Sequence, residues 1–130
     1  MVDRSGRSEL HYAAFENQPV RVVALIADGE DVNLADGLGY TPLHCAAQNQ
    51  AFEAAEALLA HGAEIDPVDQ WGNTPLWRAT FSSDGQGEVI RLLRANGADP
   101  LRANDSGNSP LDMARGIANH PIAQYFDDLP

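Results

Sequence analysis

The sequence predicts an all-α solenoid of four stacked helix-turn-helix repeats joined by short hairpin-like loops, and three observations lead there. The first is a turn, Asp-x-x-Gly, at Asp3–Gly6, Asp36–Gly39 and Asp69–Gly72, with Asn104–Gly107 as a fourth copy. Its glycines are spaced by 33, 33 and 35 residues, and a fixed period of this length marks a repeat architecture. The second is a hydroxyl two residues after each glycine, at Ser8, Thr41, Thr74 and Ser109. The third is a leucine two residues further on, at Leu10, Leu43, Leu76 and Leu111. The chain of 130 residues is long enough for a single domain. Its repeats run over about 3–35, 36–68, 69–103 and 104–130.

Each element of the repeat has a physical reason. The Asp or Asn of the turn can accept bonds from the backbone amides of its own turn, and the glycine takes a positive φ at little cost. Thr41-Pro42, Thr74-Pro75 and Ser109-Pro110 read as an N-cap followed by proline at the first helical position. Ser8-Glu9 keeps the cap without the proline. His11 and His44 stand three residues after the cap, where a side chain reaches back to it. A first helix follows, about 42–50 in the second copy, lined by small residues such as Ala46 and Ala47 that let neighbouring helices approach closely. After a tight loop comes a second helix, about 52–60, richer in larger apolar residues. Gly29, Gly62 and Gly97 close the second helices at positions suited to a left-handed residue. An extended stretch such as Ala63–Val68 leads to the next turn. Helices below about 12–15 residues are marginal alone, so the units persist only by stacking on their neighbours.

Composition narrows the function. The formal net charge is −11, the eight basic residues are all arginines, and between Arg21 and Arg78 nine acids stand without a base. Such a field keeps a protein soluble and monomeric, repels nucleic acid and anionic membrane, and attracts basic partners. No run of about 18 apolar residues is present, so no membrane span is expected. The first residues carry charge where an export signal would place its apolar core. With the single cysteine, Cys45, this points to a reducing, cytoplasmic setting.

Chemistry finds little support. His11, His44, His61 and His120 have no metal-ligand spacing with one another or with Cys45. His44 and Cys45 are adjacent on a helix and point roughly 100° apart, so no Cys–His nucleophile is assembled. Gly85-Gln86-Gly87 lacks the Gly-Lys-Ser/Thr of a phosphate loop and reads as a loop lengthened by two residues. No cofactor, metal or catalytic residue is assigned.

Residues 41–66, from Thr-Pro-Leu-His-Cys-Ala-Ala through Leu-Leu-Ala-His-Gly-Ala-Glu-Ile-Asp, resemble an ankyrin repeat almost position for position. The resemblance extends over about residues 3–129. It implies a slightly curved stack whose turn tips and first helices form a concave, protein-binding, non-catalytic face. Departures are Ser8-Glu9 in the first copy, Trp77 in place of the motif histidine, Arg78 in place of an apolar residue, and a last helix expected to be irregular around Pro121.

The family's variable surface positions map here to the residues flanking the turn glycines and those just past the first-helix alanines. The candidate partner-binding residues are Arg7, Asp36, Leu38, Tyr40, Gln48, Asn49, Asp69, Trp71, Asn73 and Phe81. Leu38, Tyr40, Trp71 and Phe81 form an exposed apolar centre in this reading, with Asp36, Glu64, Asp66 and Asp69 as an acidic rim suited to a basic protein surface. Tyr40 and Phe81 have a second reading, in which they fold back over neighbouring repeats, and Trp77 is expected to pack between repeats. Among small bacterial ankyrin proteins of this lysine-free, alanine-rich kind, some serve as antidotes to delivered toxins, so the sharper expectation is an immunity-type inhibitor of a toxin or enzyme. An adaptor that recruits a partner without inhibiting it is the alternative, and an enzyme is the remote one.

Overall fold

A computed structural model describes residues 2–117 and 122–130. The expected irregularity at Pro121, and His120 beside it, lie outside the described residues. Seven α-helices form among the described residues: α1 Glu9–Phe15, α2 Pro19–Ala27, α3 Pro42–Gln48, α4 Phe52–Ala60, α5 Pro75–Phe81, α6 Glu88–Ala95 and α7 Pro110–Gly116. A 3₁₀ helix, Ile122–Phe126, follows. No strand forms among them, and Ala63–Val68 runs without sheet pairing. Among the described residues no helix is long and apolar enough to cross a membrane. The first helices stack in the order α1, α3, α5, α7, and the second helices α2, α4, α6 form a parallel row behind them.

The recurring leucines and alanines build the seam. Leu10, Leu43, Leu76 and Leu111 are buried, as are Ala13, Ala14, Ala46, Ala47, Ala79 and Ala114. Val22, Leu58, Ile90 and Leu93 close the core from the second row. The first helix of the second copy stops at Gln48, short of the expected residue 50, because Gln50 turns left-handed with φ of 54°. Asn17 and Asp84 do the same in their loops. The cost of a positive φ at Gln50 is offset by its Nε2, which donates to the Ala79 carbonyl of the next helix at 2.8 Å.

The turns are tied to one another by backbone bonds. The amides of Gly37, Gln70 and Asp105 donate to the carbonyls of Ser5, Leu38 and Trp71 at 2.7, 2.9 and 3.0 Å. Gly39 must be glycine on two grounds: its φ is +84°, and a Cβ there would stand 2.9 Å from the Asp69 Cα. At the lengthened loop, Gly87 leaves room for the Tyr125 ring, which a Cβ would overlap.

The cap histidines do more than cap. The Thr41 N–H donates to His44 Nδ1 at 3.1 Å, so that nitrogen is an acceptor and Nε2 carries the proton. His44 Nε2 then donates to the carbonyl of Asn73, in the next turn, at 2.8 Å. His11 does the same between Ser8 and the carbonyl of Tyr40, at 3.0 and 2.9 Å. Each imidazole therefore closes its own helix and is bonded to the following unit. Trp77 occupies this position in the third copy. It is buried as expected, but its Nε1–H finds no partner, and its ring stacks on Phe81 at 5.3 Å instead.

This geometry fixes a pH response. Burial holds the His44 imidazole below its ordinary value, with the bond to Asn73 opposing that only in part. The unfolded chain therefore binds a proton that the folded chain excludes, and stability is lost as pH falls below about 6.5. Urea unfolding at about pH 7.5 and about pH 5.5 is expected to show a larger loss for the natural protein than for His44→Gln. Identical pH responses in the two proteins would contradict the buried neutral imidazole.

Candidate functional site

The turns and first helices present one face, and its chemistry is set by the turn carboxylates. In each Asp turn, Oδ1 accepts two backbone amides: Ser5 and Arg7 on Asp3, Leu38 and Tyr40 on Asp36, Trp71 and Asn73 on Asp69. That leaves Oδ2, a charged oxygen that needs a donor when buried. The residue four positions after the helix cap points toward it, and the copies solve the problem differently. Tyr12 donates its hydroxyl to Asp3. Arg78 donates Nε and Nη2 to Asp69 at 3.1 and 2.9 Å. Cys45 is too short, and Arg7 of the preceding turn supplies Nε to Asp36 at 2.9 Å. In the fourth copy the neutral Asn104 replaces the acid, and its Nδ2 donates to Asn73 Oδ1 at 2.8 Å.

Arg78 is also the centre of an aromatic cluster. Its guanidinium carbon lies 5.0 Å from the Tyr40 ring centroid and 5.5 Å from those of Trp71 and Trp77. Guanidinium groups within about 6 Å of a ring face are attracted to it. Trp71 is thus held against Arg78 and Tyr40, the latter ring at 6.3 Å, while 44% of it stays exposed.

The ten candidate residues divide accordingly. Leu38, Trp71 and Phe81 are exposed, at 39, 44 and 58%, and Gln48 and Asn49 also face solvent. Asn49 spends its side-chain amide on the Phe15 carbonyl at 2.6 Å. Arg7 is half-buried. Four placements differ from expectation. Tyr40 is buried because its ring lies between the His44 ring, at 5.8 Å, and Arg78. This is the fold-back reading of Tyr40. Asn73 is buried by its bonds to Asp69, His44 and Asn104. Asp36 and Asp69 are buried and neutralised by Arg7 and Arg78, so they form no acidic rim. Burial alone would raise the Asp36 carboxyl, but Arg7 and the amides of Tyr40 and Leu38 hold it below the usual carboxylate range.

The face carries two depressions. Arg7, Tyr40 and Gln48 come together with Tyr12, Phe15 and Glu16 around a cleft of about 540 Å³ between α1 and α3, with Cys45 among its lining residues. Phe81 borders a second, of about 310 Å³, with Met113 and Ile117. Tyr12 and Arg78 were not among the ten, although their shared position after the cap and the turn acids in register with them are visible in the sequence.

Neither His44 nor Cys45 presents a free reactive group. Both His44 ring nitrogens are bonded. The Cys45 thiol is buried and pushed up to about 12, so it is protonated at neutral pH. Among the described residues no group of His, Cys, Asp and Glu could hold a metal ion.

A family model described as ankyrin repeats, three copies, matches residues 10–104. No curated protein matches the chain.

The thiol assignment has a measurable outcome. At about pH 8 an ordinary cysteine is about a quarter thiolate, whereas one near 12 holds roughly one part in ten thousand. Folded protein is therefore expected to react with a chromogenic disulfide at least about tenfold more slowly than protein unfolded in urea, since the higher nucleophilicity of a high-pKa thiolate offsets only part of its scarcity. Comparable rates would show an accessible, activated Cys45.

Proposed function

The chain belongs to the ankyrin-repeat family, and from that premise we propose that it is a non-catalytic module that holds a protein partner against its turn-and-first-helix face. Ankyrin repeats are in general protein–protein interaction modules. The observation that carries the assignment to this face is the exposure of Leu38, Trp71 and Phe81 along it. Exposed apolar side chains that gather on one face mark interaction sites, and tryptophan is enriched among hot spots. Trp71 is also preorganised, since Arg78 and Tyr40 hold the indole before any partner arrives. An indole already fixed loses little side-chain entropy on binding.

In this reading residues 1–130 act as one domain, with Ser109-Pro110 and the turn Asn104–Gly107 opening a fourth repeat. The charge of −11 opposes self-association, so the module acts as a monomer in the cytoplasm and favours a partner with a basic surface. Where that basic surface is a toxin's or enzyme's own active site, the outcome is inhibition. Where it is not, the module is an adaptor. Assaying the partner's activity with and without the bound module separates the two.

With a partner recovered from cells that make the protein, Trp71→Ala is expected to weaken binding by about 1–3 kcal/mol. Tyr40→Ala, by contrast, should act mainly on thermal stability, because the ring is buried against His44 and Arg78. Unchanged partner affinity in both Trp71→Ala and Leu38→Ala would remove this face from the account.

A further inference from the structure

The extended stretches that leave the second helices carry another bridge between units, and two copies build it from different side chains. In the first unit the position is Asn33, four residues after Gly29; in the second it is Asp66, four residues after Gly62. Asn33 uses both ends of its amide on the next unit. Its Oδ1 accepts the Glu64 N–H at 2.8 Å, and its Nδ2 donates to the Gly62 carbonyl at 3.3 Å. Asp66 repeats half of this. Its Oδ2 accepts the N–H of Asp99, the counterpart of Glu64, at 3.1 Å. Its Oδ1 takes the place of the Asn33 Nδ2, and in the same register the carbonyl opposite is that of Gly97, the counterpart of Gly62. This Oδ1 is buried and has no hydrogen-bond partner among the described residues.

The difference is one of donor against acceptor. An amide nitrogen donates, whereas an ionised carboxylate only accepts. A buried acceptor set against a carbonyl has nothing to accept, and an unmet polar atom in the interior is costly. A proton on Oδ1 turns it into a donor and restores the bond that Asn33 makes at every pH. The surroundings favour that proton. Burial raises the Asp66 carboxyl above the ordinary aspartate range, and the charge of Asp99 pushes the same way. The Asp99 amide and the charge of Arg102 oppose this only in part. Asp99 and Arg102, both exposed, are the charged groups that face Asp66 from the next unit.

We propose that Asp66 is a proton-operated latch between the second and third units: with a proton taken from solvent its Oδ1 donates to the Gly97 carbonyl, and on ionisation that bond is withdrawn. The latch acts between the two units whose turns carry Leu38 and Trp71. Its sense is opposite to that of His44. The folded carboxyl binds its proton more tightly than the unfolded one, so its contribution to stability is complete below the ordinary aspartate range and is lost as pH rises through the folded value.

The test is thermal unfolding of the full chain, natural and Asp66→Asn, between about pH 7.5 and about pH 4.5. Asparagine keeps the shape and supplies the donor at every pH. Asp66→Asn should therefore melt about 2–6 °C above the natural protein at the upper pH, and the gap should narrow as the pH falls. His44 is common to both proteins and drops out of the difference. Asn33→Asp should build a second latch at the first boundary, with a lower midpoint at the upper pH and recovery toward the lower one. The Asp66 carboxyl carbon, followed by NMR, should titrate above the range of an aspartate in a peptide. A gap of the same size at both pH values would overturn the latch, since it shows a better bond without a proton switch. An Asp66→Asn midpoint at or below that of the natural protein at the upper pH, or a carboxyl that titrates at or below the peptide range, overturns it as well.

Discussion

A helix of seven residues cannot hold itself together in water, and this chain has four of them in its front row. The first three units are tied together by a bond from a buried cap imidazole to the carbonyl of the next unit, His11 to Tyr40 and His44 to Asn73. One ring satisfies an orphan amide at its own helix start and a carbonyl some thirty residues on. Left unmet in the interior, each such group costs about 1–3 kcal/mol. Around this bridge other long-range bonds gather, from Gln50 to Ala79 and from the Ala54 amide to Asn17. Stability therefore sits at the boundaries between units rather than within any one of them.

The chemistry of the turn-and-first-helix face follows from the same constraint. The stacked turns bury Asp36 and Asp69, and a buried carboxylate needs a counter-charge. Arg78 answers that need at Asp69 and, in doing so, gathers Tyr40, Trp71 and Trp77 around its guanidinium. The device that neutralises a structural acid thereby also holds Trp71 upright at the surface. Arg7 answers the need at Asp36 from the preceding turn, and Cys45 is left free to be small. The held yet exposed indole is a product of how the charge problem at Asp69 was solved.

Much of the fold is legible in the residues because its signals are local. Caps, prolines, turn glycines and the buried leucines all act within a few residues of themselves, so their spacing reveals helix starts closely. The second helix of the second copy falls where its pattern places it, Phe52–Ala60. The first ends early because the left-handed Gln50 has no glycine to announce it. The site is less legible. Tyr40 and Trp71 both flank turn glycines, one just after and one just before, and their fates differ: Tyr40 lies between His44 and Arg78, whereas Trp71 meets Arg78 and the Tyr40 ring yet keeps much of its surface open. Asp36 and Asp69 look like surface acids until their partners, Arg7 from the preceding unit and Arg78 from Asp69's own unit, are folded against them. The Arg7 pairing belongs to the boundary between units, which a single repeat does not display.

The account's central claim, that the first three units are secured to one another through the cap imidazoles of His11 and His44, is tested most directly by native-state amide hydrogen exchange on His44→Ala. If the bridge to Asn73 carries stability across the boundary, exchange should quicken in α5 as well as in α3, with α1 less affected. Acceleration confined to α3, with α5 as protected as in the natural protein, would show that His44 serves only its own helix and that the boundary is held by something else.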